Sequence, residues 1–209
     1  MTHIQAVFID RDGTIGIGGN DQVIYPGEFT LFLNVSKTTQ QLMSSGILVC
    51  SFTNQPGISK GESTCYRFEK ELKDFGFDEI YMCPHSPDEG CQCRKPSPGM
   101  LKRAANDHNL DLGNCAVIGD RWTVILAAEE VGCKKILVKT GSGKETFEKY
   151  MNNQFFGRWG EVQPDFIAED INEAVRWLLL NESTIPLNEQ EYKNPLLFQL
   201  FFVCSSEGG

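Results

Sequence analysis

Asp10-Arg11-Asp12-Gly13-Thr14 closes the apolar run Ala6-Val7-Phe8-Ile9. A buried strand that ends on two carboxylates and turns on a glycine holds an anionic nucleophile and a second acid at the rim of a sheet. Phosphoryl transfer needs an in-line oxygen nucleophile, cationic groups against the equatorial oxygens and a proton donor for the leaving alcohol. A carboxylate approaching a phosphate dianion meets like charge. A hard cation must therefore lie between them, and Mg²⁺, which prefers oxygen ligands, is the expected one. In that chemistry Asp10 is the nucleophile and Asp12 the general acid and base. An Asp-x-Asp pair after a strand also occurs as a plain solvated turn, so the assignment depends on what else the chain supplies.

Four further pieces supply it. Ser51-Phe52-Thr53-Asn54-Gln55-Pro56-Gly57 offers a hydroxyl and backbone N–H groups that can hold a phosphate oxygen, although Asn-Gln-Pro-Gly is also ordinary turn material. Cys83-Pro84-His85, then Cys91-Gln92-Cys93, gives three sulfurs and one imidazole within a short loop, a donor set suited to tetrahedral structural Zn²⁺. The spacing differs from the common zinc-finger pattern, and a redox or incidental cluster is the alternative. Arg94-Lys95 follows directly, a fork and a point charge that can address a phosphate and its neighbour or merely face solvent. Asp120, in Val117-Ile118-Gly119-Asp120-Arg121-Trp122, can give the cation a second carboxylate or cap the helix starting near Trp122. Thr140-Gly141-Ser142-Gly143-Lys144 lacks full phosphate-loop spacing and reads as a surface loop near the site.

These residues need a frame. Strand-like runs at 4–9, 47–52, 79–83, 115–118, 135–138 and 165–168 alternate with helical stripes such as Cys65, Phe68, Leu72, Phe75 and Ile171, Ala174, Val175, Leu178. Met100, Leu101, Ala104 and Ala105 mark another helix. Such alternation predicts an α/β, doubly wound, mainly parallel sheet of Rossmann-like type, with ligands gathered beyond the carboxyl ends of its strands. Asp10, Thr53 and Asp120 each follow a predicted strand, and the short segments between them leave little room for a lid domain. The remaining cysteines, Cys50, Cys65, Cys115, Cys133 and Cys204, read as small buried hydrophobes.

With 209 residues, 41% of them hydrophobic, the chain can bury one sizeable core. A net charge of −9 argues against nucleic acid and anionic membrane surfaces as partners, which call for basic stripes. No apolar run reaches the ~18 residues of a membrane span. With no secretory signal visible at Met1-Thr2-His3-Ile4, a cytoplasmic location is expected.

Together the motifs resemble the haloacid dehalogenase superfamily of aspartate-nucleophile phosphatases, in its small capless branch that includes histidinol-phosphate and heptose bisphosphate phosphatases. The resemblance covers about residues 1–180 as one phosphatase domain and leaves 181–209, with its apolar 195–203 segment, as a tail without a role. It implies Asp10 as nucleophile, Asp12 as acid/base with its backbone carbonyl on Mg²⁺, Asp120 on the same ion, and Thr53 and Lys95 on the phosphate. It further implies Arg94 and Asn54 on substrate and Cys83, His85, Cys91 and Cys93 on Zn²⁺, with a small phosphorylated metabolite as the partner. The short His-x5-Cys gap looks more like that of the histidinol phosphatases than that of the heptose enzymes, and the open pocket suits histidinol phosphate or a sugar phosphate. One position departs from the family: a second acid usually stands four residues after the first in the last motif, and here it is Val124. A weakened Mg²⁺ site and slower turnover are expected from it. The competing reading is a catalytically impaired phosphate-binding or interaction module on the same scaffold.

Overall fold

The computed structural model describes residues 3–18 and 25–182; the 195–203 segment and Cys204 lie outside them. Among the described residues, eight strands and seven α-helices follow in chain order: β1 Ala6–Ile9, β2 Gly16–Gly18, β3 Phe29–Leu31, α1 Val35–Ser44, β4 Leu48–Asn54, α2 Cys65–Asp74, β5 Glu79–Cys83, α3 Gly99–His108, β6 Cys115–Gly119, α4 Trp122–Glu129, β7 Lys134–Val138, α5 Gly143–Met151, α6 Arg158–Glu161, β8 Phe166–Ala168 and α7 Ile171–Glu182. All six expected strands are present. The ends shift because pairing, not apolarity, sets them: Ile4 is buried yet precedes the ladder, whereas β4 runs on to Asn54.

Six strands form one parallel sheet in the order β5-β4-β1-β6-β7-β8. Side chains of a strand alternate between faces, so β1 sends Ala6 and Phe8 one way and Val7 and Ile9 the other. The first face packs on α3 and α4 through Met100, Leu101, Ala104, Val124 and Ala127. The second packs on α1 and α7 through Val35, Leu42, Ile171, Ala174, Val175 and Leu178. Helices therefore cover both faces, as the alternation predicted. After β5 the chain returns across β1 to lay down β6, and the reversal opens a crevice at the carboxyl ends of β1 and β6. Ile9 is in register with Ser51 and with Ile118, so the segments that follow all three strands emerge side by side.

Two features were not read from the sequence. β2 and β3 pair antiparallel as a small ribbon just after the Asp10 loop. Helix α1 buries Val35, Thr38, Thr39 and Leu42, a helical stripe half made of threonine. Cys50, Cys115 and Cys133 are buried as expected, but Cys65 is exposed, since it opens α2 and the packed stripe begins one turn later with Phe68 and Leu72.

Candidate active site

Asp10 leaves β1 with its N–H donating to Ile118 O at 2.9 Å. Its Oδ1 accepts from the Arg11 backbone N–H at 2.8 Å, and its Oδ2 stands 2.7 Å from Lys95 Nζ. Lys95 also donates to Phe52 O at 2.7 Å and lies 4.9 Å from the centroid of the Phe52 ring. Both charges are almost wholly withdrawn from water, a state that only such close, fully bonded geometry sustains. Asn54, expected on substrate, instead aims Lys95: its Oδ1 accepts from Lys95 N at 3.2 Å and its Nδ2 donates to Lys95 O at 3.5 Å. Arg94 donates to His85 O at 3.1 Å, which closes the base of the Cys/His loop.

Asp12 sits at the mouth, about one-third exposed. Burial pushes its carboxyl above the ordinary range, Arg11 opposes that, Asp10 adds to it, and Gln55 pulls it back. A carboxyl raised in this way suits a group that must hold a proton before giving it up. Thr53 is buried, with Oγ1 receiving a hydrogen bond from Gln55 Nε2 at 2.9 Å.

Asp120 does not cap α4; Arg121 holds that position, and Val124 N donates to Arg121 O at 2.9 Å. Asp120 Oδ2 instead accepts from Ser142 N at 2.8 Å, which brings the 140–144 loop to the site. Gly13, with φ +78°, lets the Asp10 loop pass so close that a Cβ there would collide with Asp120 Oδ2. The other oxygen, Oδ1, is buried with no hydrogen-bond partner. A lone anionic oxygen beside a second carboxylate fits a cation, so the donor set is right for Mg²⁺.

Burial, reinforced by Asp10, pushes Asp120 up to about 7 against an ordinary 3.8. Between those values the folded protein binds more protons than the unfolded chain, so without a cation stability must fall as pH rises. Acidifying the EDTA-treated protein from about pH 8 to about 5.5 should add about 2 kcal/mol, and excess Mg²⁺ should flatten the trend. Urea titrations across that range check it; a cation-free midpoint that drops steadily toward acid refutes it.

Val124 is fully buried among the side chains between β6 and α4, its methyls packed on Gly119. Hydrocarbon thus stands at the position where the last motif of the family usually has a second acid. Val124→Asp is expected to lower the Mg²⁺ half-saturation of turnover about tenfold and, without Mg²⁺, to lower thermal stability. Unchanged half-saturation and rate would show that the outer sphere is complete without it.

Cys83, His85, Cys91 and Cys93 converge, with ligand atoms all within 4.8 Å of one another. Cys93 Sγ lies 3.3 Å from Cys83 Sγ, 3.4 Å from Cys91 Sγ and 3.2 Å from His85 Nδ1. Three sulfurs and a ring nitrogen so close together, with no open side, can hold one tetrahedral metal ion.

Comparison with known proteins agrees with this geometry. Residues 92–174 match the HAD-hydrolase-like family model. The chain is 38% identical over 154 residues to the D-glycero-beta-D-manno-heptose-1,7-bisphosphate 7-phosphatase of Haemophilus ducreyi, covering 66% of this chain and 84% of that one. It is 37% identical over 191 residues to the Vibrio cholerae enzyme of the same name, covering 83% and 96%. The crystal structure of D,D-heptose 1,7-bisphosphate phosphatase from B. bronchiseptica, complexed with magnesium and phosphate, superposes with a TM-score of 0.71 at 29% identity, over 85% of this chain and 99% of that one. The chain belongs to the HAD-like hydrolases and is a phosphatase of that family, a phosphoric monoester hydrolase. The relatives named here are heptose bisphosphate phosphatases; the short-gap hint toward histidinol phosphate finds no support in them.

Proposed function

We propose that the protein is a Mg²⁺-dependent phosphomonoesterase acting on a small sugar phosphate, of the heptose bisphosphate kind, through a phosphorylated Asp10. The observation that carries this reading is the pairing of Asp10 Oδ2 with buried Lys95 at 2.7 Å while Asp120 Oδ1 stays buried without a partner. Mg²⁺ held by Asp10, the Asp12 carbonyl and Asp120 would neutralise phosphate charge and let one carboxylate approach another anion. Lys95 and the Thr53 hydroxyl hold phosphate oxygens, and Arg94 meets the substrate beyond them. Asp10 forms a bond to phosphorus as the ester P–O bond breaks, and the leaving oxygen takes the Asp12 proton. Asp12, now a base, takes a proton from water as the water oxygen attacks phosphorus and Asp10 is released.

Zn²⁺ on Cys83, His85, Cys91 and Cys93 has a structural part, holding the loop that delivers Arg94 and Lys95. The phosphatase unit spans 1–180, with 181–209 appended. A cytoplasmic setting accords with thiols left free and with the finding that no helix among the described residues is long and apolar enough to cross a membrane. Phosphate release from heptose 1,7-bisphosphate, histidinol phosphate and p-nitrophenyl phosphate with Mg²⁺ tests the reading. Fastest turnover of the heptose ester supports it; no release from any of them, with retained phosphate binding, would return the protein to a binding module.

A further inference from the structure

Asp12 is gripped on both oxygens by side chains that carry no role so far. Arg11 Nη1 donates to Oδ1 at 2.6 Å, and Gln55 Nε2 donates to Oδ2 at 2.6 Å. Gln55 is 1% exposed, and its backbone N–H donates to Cys83 O at 2.7 Å, which roots it at the end of β5. A carboxylate that accepts on both oxygens decides which end of the Gln55 amide faces it. That nitrogen carries two hydrogens, and the second goes to Thr53 Oγ1 at 2.9 Å. With Thr53 Oγ1 accepting there, its own hydrogen must point away from Gln55.

On the opposite side Arg11 is a fixed brace. Its Nε and Nη2 donate to Glu71 Oε2 at 2.9 and 2.6 Å, and its guanidinium carbon lies 3.8 Å from the Phe29 ring centroid and 5.1 Å from that of Phe68. Glu71 Oε1 in turn accepts from Gly27 N at 3.2 Å, so the segment entering β3 is fastened to the same network.

We propose that Gln55 is a positioning residue for phosphoryl transfer: one amide nitrogen sets both the attitude of the Asp12 carboxyl and the direction of the Thr53 hydroxyl, with Arg11 bracing the other Asp12 oxygen. This rests on the parts given to Asp12 and Thr53 above. In the first step, which kcat/KM reports, a misplaced acid matters only when the leaving group needs its proton: an alkoxide needs it and a p-nitrophenolate does not. The later hydrolysis, where Asp12 is the base, is common to all substrates.

Gln55→Met keeps length and volume and removes the donor. On the alkyl phosphate turned over fastest in the panel above, kcat/KM is expected to fall about 100-fold, and on p-nitrophenyl phosphate less than about tenfold, with an unchanged Mg²⁺ half-saturation. Asp12→Asn should show the same contrast between substrates. Adding Gln55→Met to Asp12→Asn should cost the alkyl ester no more than the small factor it costs p-nitrophenyl phosphate, the part that runs through Thr53. Equal losses on both substrates, or fully additive losses in the double variant, overturn the role of Gln55 and leave Asp12 in place. An Asp12→Asn variant that treats both leaving groups alike overturns the acid assignment, and the Gln55 proposal with it. Should Gln55→Met not fold, Gln55→Asn, whose amide is one methylene short, must give the same substrate contrast or the proposal fails.

Discussion

Replacing Asp10 with asparagine is expected to lower phosphate release by at least about 10⁴-fold with every substrate, since an amide oxygen is neither anionic nor a nucleophile at neutral pH. The change is nearly isosteric. The backbone bond to Ile118 O survives, and Lys95 retains Phe52 O as an acceptor. What is lost is the charge opposite a buried ammonium, so a lower thermal midpoint should accompany the loss of activity. Mass spectrometry of acid-quenched enzyme should find a phosphoryl adduct in the parent and none in the variant. Activity surviving above about one-hundredth of the parent would remove Asp10 as nucleophile.

The second large effect is expected at Cys93. Its sulfur stands within 3.4 Å of a ligand atom from each of the other three members of the cluster, and Lys95 follows two residues on. Cys93→Ser should release bound zinc, measured by a chromophoric chelator, and lower the thermal midpoint by about 10 °C. Because Arg94 is bonded to the loop backbone, kcat/KM should fall as well, by about 100-fold if Lys95 moves by ~1 Å. A variant with parental stability and zinc content would show that the four residues hold no metal in common.

The strands were legible because each is a short apolar run that stops at a polar turn; their order in the sheet was not, because it is set by pairing between segments distant in the chain. The β2–β3 ribbon was not, since Gly16-Ile17-Gly18 carries neither a period nor a β-branched pair. Helix α1 was missed because Thr38 and Thr39 count as polar in a pattern but are buried in the molecule. Asp10 and Asp120 were singled out by residue type and place after a strand and Lys95 by its place after the Cys/His loop, and the fold brings Lys95 within 2.7 Å of Asp10. The bond between Asn54 and the Lys95 backbone was not legible, because its partner stands 41 residues on and only the fold brings the two together. Arg11 and Gln55 escaped notice for the same reason. An arginine between two aspartates looks solvated until α2 brings Glu71 against it, and Gln55 lay inside what read as turn material.

Among the described residues the first strand in the chain, β1, is an inner strand of the finished sheet. β1, buried at every position, has β4 on one side and β6 on the other, so its second neighbour is synthesised only when residue 115 emerges. Until then one edge of an all-apolar segment is open in the nascent chain, and the two halves of the cation site are on pieces of polypeptide not yet joined. Pairings so distant in sequence form late and expose aggregation-prone intermediates. The arrangement that unites Asp10 and Asp120 thus completes itself only after more than half of the chain has emerged.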